Sequence, residues 1–156
     1  MLLLAGKADS LDGAKEMVTA VRQTGTALDK FRQMVAAQGG DVAQVDDPSL
    51  LPQAKFVEPI TAPRSGSIAA MATGEIGWAC VRLGGGRMVK TDKIDHAVGF
   101  VLHAKIGDTF AEGDELGTVH ANDKEKLTQA REELLAALTW SDDPVAPQPH
   151  FHGTIQ

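Results

Sequence analysis

The chain has 156 residues, 43% of them hydrophobic and 23% charged, with a net charge of −6. That length holds one domain with a core, or one domain plus a helical appendage. Acidic and basic residues are interspersed, and aromatics make up 4% with no Tyr. This composition argues against nucleic acid as a partner, which calls for a clustered basic surface or a base-stacking platform.

The opening Met1-Leu2-Leu3-Leu4-Ala5-Gly6 is too short an apolar run for a signal segment or a membrane span, and Lys7 follows it instead of preceding it. Residues 1–40 read as helical. Ser10 is placed to cap a first helix whose Ala14, Met17, Val18 and Val21 fall on one face, and Gly25 is placed to end it. Thr26 reads as the next cap, with Leu28, Phe31, Met34 and Val35 as a second stripe that stops at Gly39-Gly40. Two such helices cannot bury each other's stripes fully and call for a partner surface. Residues 41–54, with Pro48 and Pro52 around Leu50-Leu51, read as a connector lying along a surface.

From residue 55 to residue 156 the pattern changes. Phe56 to Ile60, Ile68 to Met71, Val98 to Leu102 and Leu116 to Val119 are short aliphatic runs bounded by Pro, Gly and Asp, as strands are. Between the second and third lies a helix started by Thr73, with Ile76, Ala79, Cys80 and Leu83 on its inner face and Gly84 at its end. A last helix is expected after Asn122, paired with Glu125 as a capping box, and Leu127, Ala130, Leu134, Leu135 and Leu138 form its inner face. The tail from Asp142 to Gln156 carries three prolines and reads as extended. Strands and helices interleave without a βαβ rhythm, so the class is α+β.

Several groups invite chemistry. Gly84-Gly85-Gly86-Arg87 suggests a phosphate loop, but these glycines end a helix, at its negative pole, whereas phosphate cradles open one. Gly107-Asp108 through Leu116, in the pattern G-D-x-x-x-x-G-D-x-L, resembles the half-motif of biotinyl and lipoyl carrier domains. Such a standalone carrier or binding module is the alternative reading, and Lys90 in Met88-Val89-Lys90-Thr91 is the nearest candidate for its modified lysine. A shared barrel-sandwich substructure explains the motif better, with the Gly-Asp pairs making turns and Phe110 and Leu116 filling core. His103 and His120 sit beside strands and read as structural, His96 is a further isolated histidine, and His150 with His152 has the spacing of a weak metal pair without a third ligand. Cys80 is the sole cysteine, which fits a reducing, cytoplasmic setting, and it stands on a buried stripe as an inert thiol. No catalytic constellation and no cofactor motif stand out.

The run from Leu50 to Gly107, LLPQAKFVEPITAPRSGSIAAMATGEIGWACVRLGGGRMVKTDKIDHAVGFVLHAKIG, together with MLLLAGKA, AAQGGD and GD-x-x-x-x-G-D-x-L-x-x-V-H-A-N, resembles the C-terminal domain of pyrimidine-nucleoside phosphorylases, the family that includes thymidine phosphorylase. The resemblance covers nearly the whole chain, and departs from the family at His150-Phe151-His152. It implies an α/β-hammerhead with a barrel-sandwich-like β substructure, preceded by a short helical segment from a larger upstream domain. It further implies that the groups binding phosphate, base and ribose lie upstream of MLLLAGKA, so that this chain does not run the reaction alone. The partner is then the upstream catalytic domain, phosphate and pyrimidine nucleoside bind only in the intact homodimeric enzyme, and no nucleic acid or membrane is involved. The segment from Gly84 to Asp95 would face the substrate cleft, with Gly84, Gly85, Gly86, Arg87, Lys90 and Lys93 helping to close it.

Overall fold

The structure, a computed structural model, describes residues 1–149, 151 and 153 and divides into two units, Met1–Leu51 and Pro52–Gln156.

The first unit is helical. Helix α1 (Leu11–Gln23) starts where Ser10 Oγ accepts the Gly13 N–H at 3.1 Å. It stops at Thr24, and Gly25 turns the chain in a left-handed conformation (φ 80°) that only glycine adopts freely. Helix α2 (Thr26–Ala37) follows directly. Thr26 is its first residue and not its cap; the Thr26 hydroxyl bonds the Thr24 hydroxyl at 3.0 Å instead. Arg32 on α2 reaches both Asp29 and Asp46, at 2.7 and 2.6 Å, and thereby holds the short helix α3 (Ala43–Asp46). The stretch read as a connector contains α3 and a 3₁₀ turn at Pro48–Leu50, where the Asp47 carboxylate accepts the Ser49 N–H. No residue of these helices is buried. Leu11, Val18, Val21, Leu28, Phe31 and Met34 are all exposed.

Among the described residues, the second unit contains two three-stranded antiparallel sheets. One has the order β1 (Phe56–Thr61), β5 (Glu115–Ala121), β3 (Gly99–Leu102), and the other β4 (Thr109–Phe110), β2 (Gly66–Met71), β6 (Leu138–Ser141). A single antiparallel ribbon links them. It begins with Phe56 opposite Ala121, shifts register at Ile60/Thr61 so that Leu116 has no partner on β1, and continues into Ser67 opposite Thr109. Between the sheets the ribbon is stitched by two matching exchanges: Ala62 with Gly113 and Asp114, and Ile68 with Gly107 and Asp108. At each place glycine takes a left-handed conformation, and the following Asp carboxylate accepts a backbone N–H three residues back: Lys105 at 2.9 Å and Ala111 at 2.7 Å. The G-D-x-x-x-x-G-D spacing is therefore a pair of equivalent turns.

Helix α4 (Thr73–Cys80) runs into a wide last turn, Val81–Gly85, and helix α5 (Lys124–Ala136) packs beside it. Ile60, Ile68, Leu116, Val119 and Leu134 are fully buried, and Leu83, Ala121, Leu127, Ala130 and Leu138 complete the core. Each of the large aliphatic side chains contributes about 1.5–3 kcal/mol of hydrophobic free energy on burial. Phe110 packs on this core and meets Trp140 edge-on, ring centres 6.5 Å apart. Arg131 of α5 bonds Glu58 of β1.

Three local expectations are corrected. Thr73 does not cap α4; Ala72 holds that position without a side-chain bond. Asn122 does not cap α5 either: Asp123 does, accepting the Lys126 N–H at 3.0 Å, because the Asn122 side chain has other partners. Leu138 belongs to β6 and not to the helix, since pairing of Met71 with Leu138 captures it.

Candidate functional site

The segment joining α4 to β3 carries the charge singled out above. Gly84 leaves the helix with φ 118°, and its carbonyl accepts the Asp95 N–H at 2.9 Å, closing residues 84–95 into a ring. Side chains are excluded from the two glycines that follow. A Cβ on Gly85 would lie 2.8 Å from Cys80 Sγ, and one on Gly86 would lie 2.6 Å from Val81 Cγ2. These glycines therefore let the chain double back on its own last turn.

Two aspartates shape the ring. Asp92 accepts the Met88 and Val89 N–H groups, each at 3.0 Å. Asp95 accepts the Ala97 N–H at 3.0 Å through one oxygen and the Asn122 Nδ2 at 2.7 Å through the other. The Asn122 amide, and after it the Ala97 N–H, hold the Asp95 carboxyl below its ordinary range, because both bonds favour the charged form. Asn122 completes the line by accepting the Lys55 N–H at 2.8 Å.

Arg87, Lys90 and Lys93 are exposed on this ring. Among the described residues none of the three makes an ion pair; the salt bridges here involve Arg32, Arg64, Arg82, Arg131, Lys15 and His103. Arg87, Lys90 and Lys93 outnumber Asp92 and Asp95 on the ring, which leaves it a small positive excess that favours an anion.

The other candidates do not assemble. Lys90 lies between a helix end and β3, not at the hairpin tip that a carrier lysine requires. Cys80 is half-buried, its sulfur packed against Gly85 and near Gly99. His103 faces Glu115 at 3.8 Å on the surface, His120 Nε2 meets the Thr118 hydroxyl at 3.3 Å, and His96 is exposed. Among the described residues no three His, Cys, Asp or Glu groups gather as a metal site. His150 and His152 lie outside the described residues. No described helix is long and apolar enough to cross a membrane.

The residues that reasoning from sequence missed are Asp92, Asp95 and Asn122. Asp95 carried a local signal, an Asx-type bond to the residue two ahead. Asn122 carried none, since both its partners are distant in sequence.

These features define an α+β domain that presents a glycine-anchored cationic loop next to an antiparallel sheet. Residues 67–141 match the pyrimidine nucleoside phosphorylase C-terminal domain. It is similar to the pyrimidine-nucleoside phosphorylases of Staphylococcus aureus strains USA300, NCTC 8325 / PS 47 and COL, at 38% identity over 147 residues. The match takes in 94% of this chain and 34% of each relative, so the chain spans about a third of the length of the curated relatives it matches.

Proposed function

We propose that this chain is the C-terminal part of a pyrimidine-nucleoside phosphorylase and forms one wall of its substrate cleft. In the reaction an oxygen of inorganic phosphate bonds to C1′ of the sugar as the C1′–N bond to the base breaks. The base leaves with the electron pair and takes a proton, giving free base and pentose 1-phosphate. The chain does not run this reaction alone: its partner is the upstream catalytic domain, which supplies the groups holding phosphate, base and ribose.

Within that scheme residues 1–40 belong to the helical part of the enzyme, 41–54 connect, and 55–156 form an α/β-hammerhead whose ribbon is of barrel-sandwich type. The exposed stripe of Leu11, Val18, Val21, Phe31 and Met34 supports the first assignment, and the ribbon running through both sheets supports the last. Arg87, Lys90 and Lys93 draw toward the phosphate side of the cleft as the enzyme closes. There they offset anionic charge without touching the reacting atoms, while closure excludes water, which would otherwise compete with phosphate as nucleophile. The whole enzyme is a cytoplasmic homodimer in this reading, and it needs no cofactor.

The observation carrying the proposal is the 38% identity to phosphorylases across 94% of the chain. The test is release of thymine from thymidine and of uracil from uridine in phosphate or arsenate. It is run with this chain alone and again with the catalytic part of a relative added. Silence alone with activity on addition supports the reading. Turnover by the chain alone overturns it.

A further inference from the structure

We infer that Asn122 is a positioning residue that fixes the base of the cation loop to the start of β1. The functional value of this role rests on the proposed place of that loop at the cleft, but the tether itself does not. Asn122 is the single residue between the end of β5 at Ala121 and Asp123, the cap of α5, so its backbone is held from both sides by regular structure. Its side chain bridges two segments that lie far apart in sequence, residue 55 and residue 95. Oδ1 accepts the Lys55 N–H at 2.8 Å, and Nδ2 donates to Asp95 Oδ2 at 2.7 Å. The orientation of the amide follows from its partners, because a backbone N–H only donates and a carboxylate only accepts.

Asp95 is the residue through which such a tether would act on the ring. Its N–H closes the ring onto the Gly84 carbonyl, and its other carboxylate oxygen takes the Ala97 N–H. Arg87, Lys90 and Lys93 all lie inside the segment thus closed. Lys55, at the other end of the bridge, stands three residues past Pro52, where the second unit begins. The start of the unit and the base of its loop are thereby held at one fixed spacing, set by a four-atom amide. An aspartate at position 122 would keep the acceptor for Lys55 and lose the donor for Asp95. Alanine would lose both.

Amide hydrogen exchange on the 156-residue chain at pH 7 tests this. Asn122→Asp is expected to raise exchange at Asp95 and Ala97 roughly tenfold while Lys55 stays protected, since a hydrogen bond to a charged group is worth about that factor or more. Asn122→Ala raises exchange at both ends. The exchanged pair Asp95→Asn/Asn122→Asp reverses donor and acceptor only between positions 95 and 122, leaves the Lys55 and Ala97 N–H groups their acceptors, and returns both ends to within about twofold of the parent. Amides of α5 such as Leu134 keep their protection throughout, which separates a lost tether from a damaged fold. Unchanged exchange at Asp95 and Ala97 in Asn122→Asp, or failure of the exchanged pair to restore them, overturns the assignment. Inorganic phosphate added to the parent chain reads the cleft proposal separately. Slowed exchange across residues 87–93 supports an anion-facing loop, and no slowing counts against that loop's role while the Asn122 result stands on its own arms.

Discussion

Gly117 occupies the middle of β5, paired with Ile60 on one side and Leu102 on the other. A Cβ at this position would lie 2.3 Å from the Val101 carbonyl oxygen, 2.9 Å from Leu102 Cα and 3.1 Å from Leu102 Cδ2. Non-bonded carbons rest about 3.5–4.0 Å apart, so in Gly117→Ala strand β3 has to retreat by about 1 Å. Two of the three nearest atoms are backbone, so a change of rotamer does not relieve the contact. The retreat pulls on the bonds by which Leu116 O accepts the His103 and Ala104 N–H groups, at 3.0 and 3.1 Å, and on the packing of Phe100 and Leu102. Two or three backbone bonds at about 1 kcal/mol each, with partial loss of packing, give a cost of roughly 3–5 kcal/mol. Gly113→Ala is the internal control. That glycine has φ 89° with nothing within 4 Å of a Cβ, so only the left-handed conformation is penalised, at about 1–2 kcal/mol. Urea unfolding followed by circular dichroism compares the two. Equal midpoints for both variants, at equal slope, would refute the close-approach argument.

Further predictions follow from the core, the turns and the loop. Leu134→Ala empties a fully buried position and is expected to cost about 2–5 kcal/mol in the same assay. Asp108→Ala and Asp114→Ala each strip one acceptor from a turn N–H, so each should cost about 1 kcal/mol, and a cost in only one of them would contradict their equivalence. Asp95 has a folded-state pKa below its ordinary value, so its contribution is present above the unfolded value near 3.8 and is lost as pH falls through the folded one. The stability gap between the parent and Asp95→Asn should therefore narrow in acid. A gap that stays constant from pH 7 to pH 3 would show that the charge of Asp95 contributes nothing.

The parts of the fold legible in the sequence are those whose cause is local. Ser10 announces α1, and the aliphatic runs around Ile60, Ile68, Phe100 and Val119 appear as strands. What stayed hidden has its cause elsewhere in the chain. Strand β4 is two residues long, too short to show an alternating pattern. Strand β6 follows α5 with no Gly or Pro between them, and Leu138 continues the spacing of Leu134, so periodicity alone extends the helix. Pairing with β2 is what ends it. Asn122 and Asp123 are both good caps, and Asp123 takes the position because Lys55 and Asp95 occupy its neighbour. The same contrast holds at the loop. Arg87, Lys90 and Lys93 are plain in the sequence, and Asp95 leaves a local trace there, whereas the Asn122 amide that holds Asp95 shows only in three dimensions.

The ribbon through both sheets also sets the order in which the chain can mature during synthesis. Ser67 and Thr109 meet across 42 residues, and Lys55 and Asn122 across 67. When β1 and β2 leave the ribosome their partners have not yet been made, so two aliphatic segments wait unpaired until residues 108–121 emerge. Closing such separations is slow, and waiting strands are open to mispairing with other chains. The second unit should therefore gain protection late and in one step, with pulse-labelled nascent chains remaining protease-sensitive until α5 has cleared the exit tunnel.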